Sequence, residues 1–177
     1  ADGIMGHISS FGSLIALLPK EGFTALLNRN RCGTWRPDMP RPDDVGVGTA
    51  LLIFNRDRKV LLGKRKGAHR AGCWAPPGGW LDRPDASTDK AVIRETLEET
   101  GLVVVRCWRF YWTTEDHPEL EARTVTLYHI ANEHDWYGEP QVMEPHKCEE
   151  WDWFALDELP QPLFPGIDEA LDEYRER

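Results

Sequence analysis

From Val45 onward the apolar residues repeat with two periods, and the switches between them mark out the elements. "VGVGTALLIF" (45–54) and "KVLLGKR" (59–65) are apolar and rich in β-branched residues, and the intervening "NRDR" predicts a hairpin turn. Two longer strands are predicted over "VVVRCWRFYWTTE" (103–115) and "RTVTLYHIAN" (123–132). The second alternates, with Thr124, Thr126, Tyr128 and Ile130 on one side and Val125, Leu127 and His129 on the other. "EEWDWFAL" (149–156) predicts a short aromatic strand. "PGIDEALDEYRER" (165–177) predicts a closing helix with Pro165 near its start and Ile167, Leu171 and Tyr174 as its apolar stripe. Residues 45–177 are therefore expected to form one mixed α/β domain.

Residues 1–44 follow a different pattern and are read as an N-terminal extension. Phe11, Leu14, Leu17, Leu18, Phe23, Leu26 and Leu27 outline an amphipathic helical stretch, followed by the Pro- and Arg-rich connector "NRNRCGTWRPDMPRPDD". Its apolar residues could pack on the main domain, on a second subunit or on a partner. The stretch is interrupted by Pro19, Lys20 and Glu21, so neither a membrane span nor a signal peptide is expected.

The remaining segment, "GGWLDRPDASTDKAVIRETLEETGL" (78–102), predicts a helix with Asp85, Ser87 and Thr88 as capping residues and Gly101 as its stop. At 100° per residue, Glu95, Glu98 and Glu99 fall within an arc of about 100°. Val92, Ile93, Thr96 and Leu97 occupy most of the opposite surface. Like charges at this spacing repel by a few tenths of a kcal/mol per pair. Arg94 can pair with neighbouring acids and make this an ordinary charged face. The alternative is a site for hard divalent cations, which bind carboxylates together with substrate phosphates.

Composition narrows the choice. The 177 residues carry a formal charge of -9, which argues against binding a nucleic-acid polymer or an anionic membrane by bulk electrostatics. A small polyanionic substrate remains compatible, because a bound cation reverses the local sign. Cys32, Cys73, Cys107 and Cys148 form no close pairs, so reduced thiols and a cytoplasmic location are expected.

The segment 78–102 resembles the Nudix box of the MutT-like hydrolases, G-x5-E-x7-R-E-U-x-E-E-x-G-U, where U is a bulky apolar residue. Arg94, Glu95, Glu98, Glu99, Gly101 and Leu102 stand at the matching places, with Thr96 in the first U place. The resemblance extends over roughly 45–165, through "VLLGKRKGAHRAGCWAPPGG", "EPQVMEPHKCEEWDWF" and "LDELPQPLF". It is nearest to the small nucleoside triphosphate diphosphatases that include the oxidised- and thiopurine-nucleotide hydrolases and their plant relatives. It implies an α/β/α sandwich around a central mixed sheet, and Mg²⁺ or Mn²⁺ dependence. The implied reaction releases a nucleoside monophosphate and pyrophosphate from a small-molecule nucleotide, in the service of the nucleotide pool; a homodimer is an expectation at family level. The readings beside it are hydrolysis of a non-nucleotide diphosphate, such as an isoprenyl diphosphate, and a weakened Nudix fold that binds a nucleotide or a partner.

Two departures stand out. From Gly79 to Arg94 there are fifteen steps where the pattern needs fourteen. Counted forward, Asp85 falls at the first glutamate; counted back, Ala86 does. Pro76 and Trp80 also flank the glycines where this branch often has Leu-Pro before them and His after.

Glu95, Glu98 and Glu99 are the expected metal ligands, joined by a backbone carbonyl of Gly78 or Gly79. Arg94 is expected to orient a glutamate, and the general base is Glu95 or a loop acid, Glu144 or Glu149. Lys64, Arg65, Lys66 and Arg70 form a basic turn suited to phosphate. Trp80, Trp151 and Trp153 are candidates to line the substrate cleft, with Trp74 flanking the glycines on the other side. His69 and His146 read as surface residues.

Overall fold

In this computed structural model, residues 45–177 are described apart from 68–69 and 118–121. The N-terminal extension, Cys32 and His69 lie outside the described residues. The elements are β1 Val45–Ile53, β2 Val60–Arg65, β3 Trp74–Ala75, β4 Gly78–Trp80, α1 Thr88–Thr100, β5 Val103–Val104, β6 Trp108–His117, β7 Ala122–Ala131, β8 Trp136–Tyr137, β9 Cys148–Phe154 and α2 Ile167–Arg175.

The main sheet has the order β4-β1-β7-β6. β1 runs parallel to β7, from Val45 opposite Arg123 to Ile53 opposite Ala131, and antiparallel to β4. β6 pairs antiparallel with β7 at the edge, with a bulge between Arg109 and Tyr111. The sheet is therefore mixed, as expected.

The turn after β1 forms, but the hairpin does not. Asn55 Oδ1 accepts from the N–H groups of Asp57 and Lys59, both at 3.0 Å, which closes the turn. β2 then leaves to pair with β3 and β9; just past the end of β1 an isolated Phe54–Val60 bridge links the two segments, while their side chains meet in the cores. Both edges of β1 are already occupied by β4 and β7, so no ladder is open to it. The run 103–115 likewise divides. Val105 N–H donates to the Asp135 carbonyl at 2.8 Å and Arg106 pairs with the Asp135 carboxylate at 2.7 Å, which peels the chain away between β5 and β6.

Alternation along β1 builds two cores. Leu51 and Ile53 face α1 and pack with Leu61, Val92, Leu102, Val104 and Ala131. Ala50, Leu52 and Phe54 face α2 and pack with Val60, Leu62, Tyr128, Ile130, Ile167, Ala170 and Leu171. Each fully buried aliphatic side chain contributes roughly 1.5–3 kcal/mol. The result is an α/β/α sandwich with, among the described residues, one helix on each face. No helix among the described residues is long and apolar enough to cross a membrane.

Ser87 caps α1, its Oγ accepting from the Lys90 N–H at 3.3 Å, while Gly101 takes φ 73° and donates to the Leu97 carbonyl. Of the three expected capping residues, Ser87 performs the role; Asp85 is engaged by Arg94.

Candidate active site

Helix α1 lies against β4, and the two glycines of that strand set how closely. Gly78 N–H donates to Glu99 Oε2 at 3.0 Å. A Cβ at Gly78 would stand 2.1 Å from the Thr49 carbonyl, and one at Gly79 would stand 2.5 Å from the Glu95 carboxyl carbon. Gly78 has no room for a side chain, and one at Gly79 would have to displace the Glu95 carboxylate, so strand and carboxylates meet directly. The Gly79 carbonyl accepts from Thr49 Oγ1 at 3.3 Å.

Arg94 gathers the acids on one side. Its Nε and Nη2 donate to Asp85 at 3.2 and 2.9 Å, its Nη1 to Glu95 at 2.6 Å and to Glu98 at 3.4 Å, and its Nη2 also to the Trp80 carbonyl at 3.3 Å. Burial opposes its charge, yet Asp85 and Glu95 hold the guanidinium above its already high range. Asp85 is also partly desolvated, but hydrogen bonds from Arg94 and the Asp82 N–H keep its carboxyl below the usual range. The additional residue of the loop is thus absorbed with Asp85 in bidentate contact with Arg94.

The other side is short of positive charge. Burial pushes the Glu95 carboxyl up, with Arg94 opposing and Glu98 adding to the shift. Burial pushes Glu99 up to about 8 despite the Gly78 N–H, and repulsion from Glu95 and Glu144 adds to it. Among the described residues no cation forms an ion pair with Glu99. Carboxylate oxygens held together with too little compensation are a donor set that fits a hard divalent cation. Among the described residues no three His, Cys, Asp or Glu side chains already converge in ligand geometry. Glu95 and Glu98 are turned onto Arg94, and Glu99 onto Gly78.

The loop before β9 is sewn to the C-terminal end of α1. Gln141 N–H donates to the Thr100 carbonyl at 2.9 Å and Met143 N–H to the Glu99 carbonyl at 3.1 Å. These bonds satisfy carbonyls that a helix end leaves open. They also bring Glu144 within electrostatic reach of Glu99, with Lys147 paired to Glu144 at 2.7 Å. Glu149, the other loop acid singled out, is paired with Lys64 at 3.3 Å.

The remaining candidates are dispersed. Arg65 lies over the Phe164 ring at 5.1 Å and Arg70 pairs with Glu115. The Lys66 N–H donates to the Lys147 carbonyl at 2.6 Å. Trp80 adjoins the site through its carbonyl. Trp151 packs over Gly63, where a Cβ would stand 2.6 Å from its ring. Trp153 stacks on Trp136 with centroids 5.5 Å apart, and Trp74 meets Phe154 edge-on at 4.9 Å. His146 is exposed, as expected.

Sequence reasoning passed over His129. It is fully buried, with Nε2 3.1 Å from Asp89 Oδ1 and 3.3 Å from Thr88 Oγ1, and so anchors the first turn of α1 to β7. Burial holds its pKa below the ordinary value, against the pull of Asp89. The one available signal was its place in the β7 alternation beside Leu127.

The description "NUDIX domain" matches residues 44–174, and the chain belongs to this family. The MutT NUDIX hydrolase of Burkholderia pseudomallei superposes with a TM-score of 0.68 at 36% identity, covering 74% of this chain and 98% of that one. Among curated relatives, the ADP-ribose pyrophosphatase of Methanocaldococcus jannaschii is 45% identical over 51 residues, which is 29% of this chain and 30% of that protein. The CTP pyrophosphohydrolase of Escherichia coli is 28% identical over 122 residues, covering 68% of this chain and 84% of that protein. The Methanocaldococcus protein and a putative 8-oxo-dGTP diphosphatase of Bacillus subtilis are thus matched over only about a third of their length.

Proposed function

We propose that this protein hydrolyses a nucleoside triphosphate, or a related nucleoside diphosphate linked to another group, to the nucleoside monophosphate and pyrophosphate. It does so with Mg²⁺ or Mn²⁺. The observation that carries this reading is the packing of Glu95 and Glu99 against Gly78–Gly79, with Glu98 beside them on Arg94 and Glu99 half-buried without an ion pair among the described residues. The names of the relatives support the class of substrate: nucleotides and their derivatives held through a phosphorus anhydride.

In this reading Glu95, Glu98 and Glu99 hold the ion, with the Gly79 carbonyl as a further oxygen ligand. When bound, the ion neutralises phosphate charge and makes a water nucleophilic. Arg94 is a positioning residue. Fixed by Asp85 and the Trp80 carbonyl, it aims Glu95 and Glu98 from one side. Among Glu95, Glu144 and Glu149, Glu144 is the favoured general base, because its loop is bonded to the carboxyl-terminal end of α1 and its charge is felt by Glu99. Gly78 and Gly79 leave the main chain open to phosphate, and Lys64 and Arg65 stand at the end of β2 as phosphate contacts. Trp80 borders the substrate side.

The test is pyrophosphate and phosphate release from a panel of standard and oxidised nucleoside triphosphates, with Mg²⁺ and with chelator. Metal-dependent pyrophosphate release is expected. Absence of release from every member would overturn the nucleoside triphosphate reading.

A further inference from the structure

A concave region lies outside the carboxylate site and shares none of its residues. It has a volume of about 480 Å³, within the range of small-molecule sites, and is lined by the β1–β2 turn, the segment from Glu133 to Glu139, and Trp153. It opens at the carboxyl ends of β1 and β7, the parallel pair of the main sheet, where open α/β sheets commonly bind ligands. None of its acids is among the charges that perturb Glu95 or Glu99.

Its walls are fixed. Trp136 stacks on Trp153, and its Nε1 donates to the Phe54 carbonyl at 3.1 Å. The turn is closed by Asn55, and the opposite segment is pinned by buried Asp135, which accepts from Asn132 N–H at 3.0 Å and Arg106 Nε at 2.8 Å. Tyr137, 60% exposed, extends the aromatic surface. Three carboxylates line the cleft, Asp57, Glu133 and Glu139, against one guanidinium, Arg56, with His134 held 3.0 Å from Glu133.

We propose that this cleft binds a small organic cation, a quaternary ammonium group seated against the indoles with the carboxylates around it. Aromatic faces attract weakly hydrated cations, whereas a strongly hydrated metal ion gains little from an indole. The surplus of carboxylates disfavours nucleotides and other anions here. This inference does not depend on the reaction assigned to the carboxylate helix.

Choline and its neutral isostere 3,3-dimethylbutan-1-ol are the probes, titrated by calorimetry and by NMR of the indole N–H signals. Choline is expected to bind saturably and to shift the Trp136 and Trp153 signals, with the isostere about tenfold weaker. Combining Asp57→Asn with Glu139→Gln, both exposed, should weaken choline roughly two- to fivefold, and Arg56→Ala should tighten it by about twofold. Glu98→Gln should leave binding unchanged. No saturation at tens of millimolar choline, equal binding of the isostere, or weaker binding in Arg56→Ala would each overturn the proposal.

Discussion

The two helices pack on opposite faces of one sheet and use their charges differently. On α2 the buried stripe is Ile167, Ala170 and Leu171, and the acids turn outward, where Asp172 pairs with Arg175 at 2.6 Å and Glu173 with Arg177 at 2.9 Å. On α1 the buried residues are small, Ala91, Val92, Thr96 and Thr100, while Glu95 and Glu99 press against β4 and Glu95 and Glu98 share Arg94. Thr96 Oγ1 is buried without a partner among the described residues, while Thr100 Oγ1 bonds back to the Thr96 carbonyl at 2.6 Å. α2 is built to hold the sheet. α1 is held by the sheet, its caps and its loop, and carries groups whose mutual repulsion the fold has to bear.

Substitutions should separate these roles. The largest effect is expected from Glu98→Gln, which should lower metal-dependent turnover on the order of 10²–10³-fold with little change in melting temperature. A comparable fall in both would break the contrast. Leu171→Ala should do the reverse, costing about 2–5 kcal/mol of stability by denaturant unfolding while turnover per folded molecule is retained.

The third prediction concerns pH. Glu99 has its folded pKa raised from 4.5 to about 8, so the folded protein binds the extra proton between those values. Its contribution is complete below about pH 4.5 and is lost as pH rises through about 8. Chelator-treated protein should therefore lose stability over that window, and Glu99→Gln should flatten the loss. An unchanged slope in the variant would remove Glu99 as the source. The smallest effect is expected at the cap, where Ser87→Ala should cost about 1 kcal/mol in thermal unfolding.

Much of this contrast was legible in the chain, for physical reasons. Glu95, Glu98 and Glu99 share a face because helical spacing alone decides it, and Gly101 ends α1 because only a positive φ closes the last turn. The strands β1, β2, β7 and β9 could be read from apolar runs and alternation. The pairing of β2 could not, since it depends on which edges of β1 are already filled, a property of the assembled sheet. Short strands such as β4 and β5 are too brief to show a period. The attachment of Gln141 and Met143 to α1 runs through backbone groups, which every residue possesses and no side-chain pattern reports. The sequence offers Asp85 as a cap; its contact with Arg94 needs the folded loop to appear.

The glycine pair of β4 also bears on how such a chain can change over time. At Gly78 the obstacle to a side chain is the backbone of β1, and at Gly79 it is the carboxylate of Glu95. A compensating second substitution can relieve a crowded side chain, but it cannot move a main-chain carbonyl that is itself part of a ladder. Gly78 is therefore closed to variation by architecture and Gly79 by chemistry. In a collection of functional variants, the first should tolerate no replacement in any background, while the second should yield only where position 95 has changed as well.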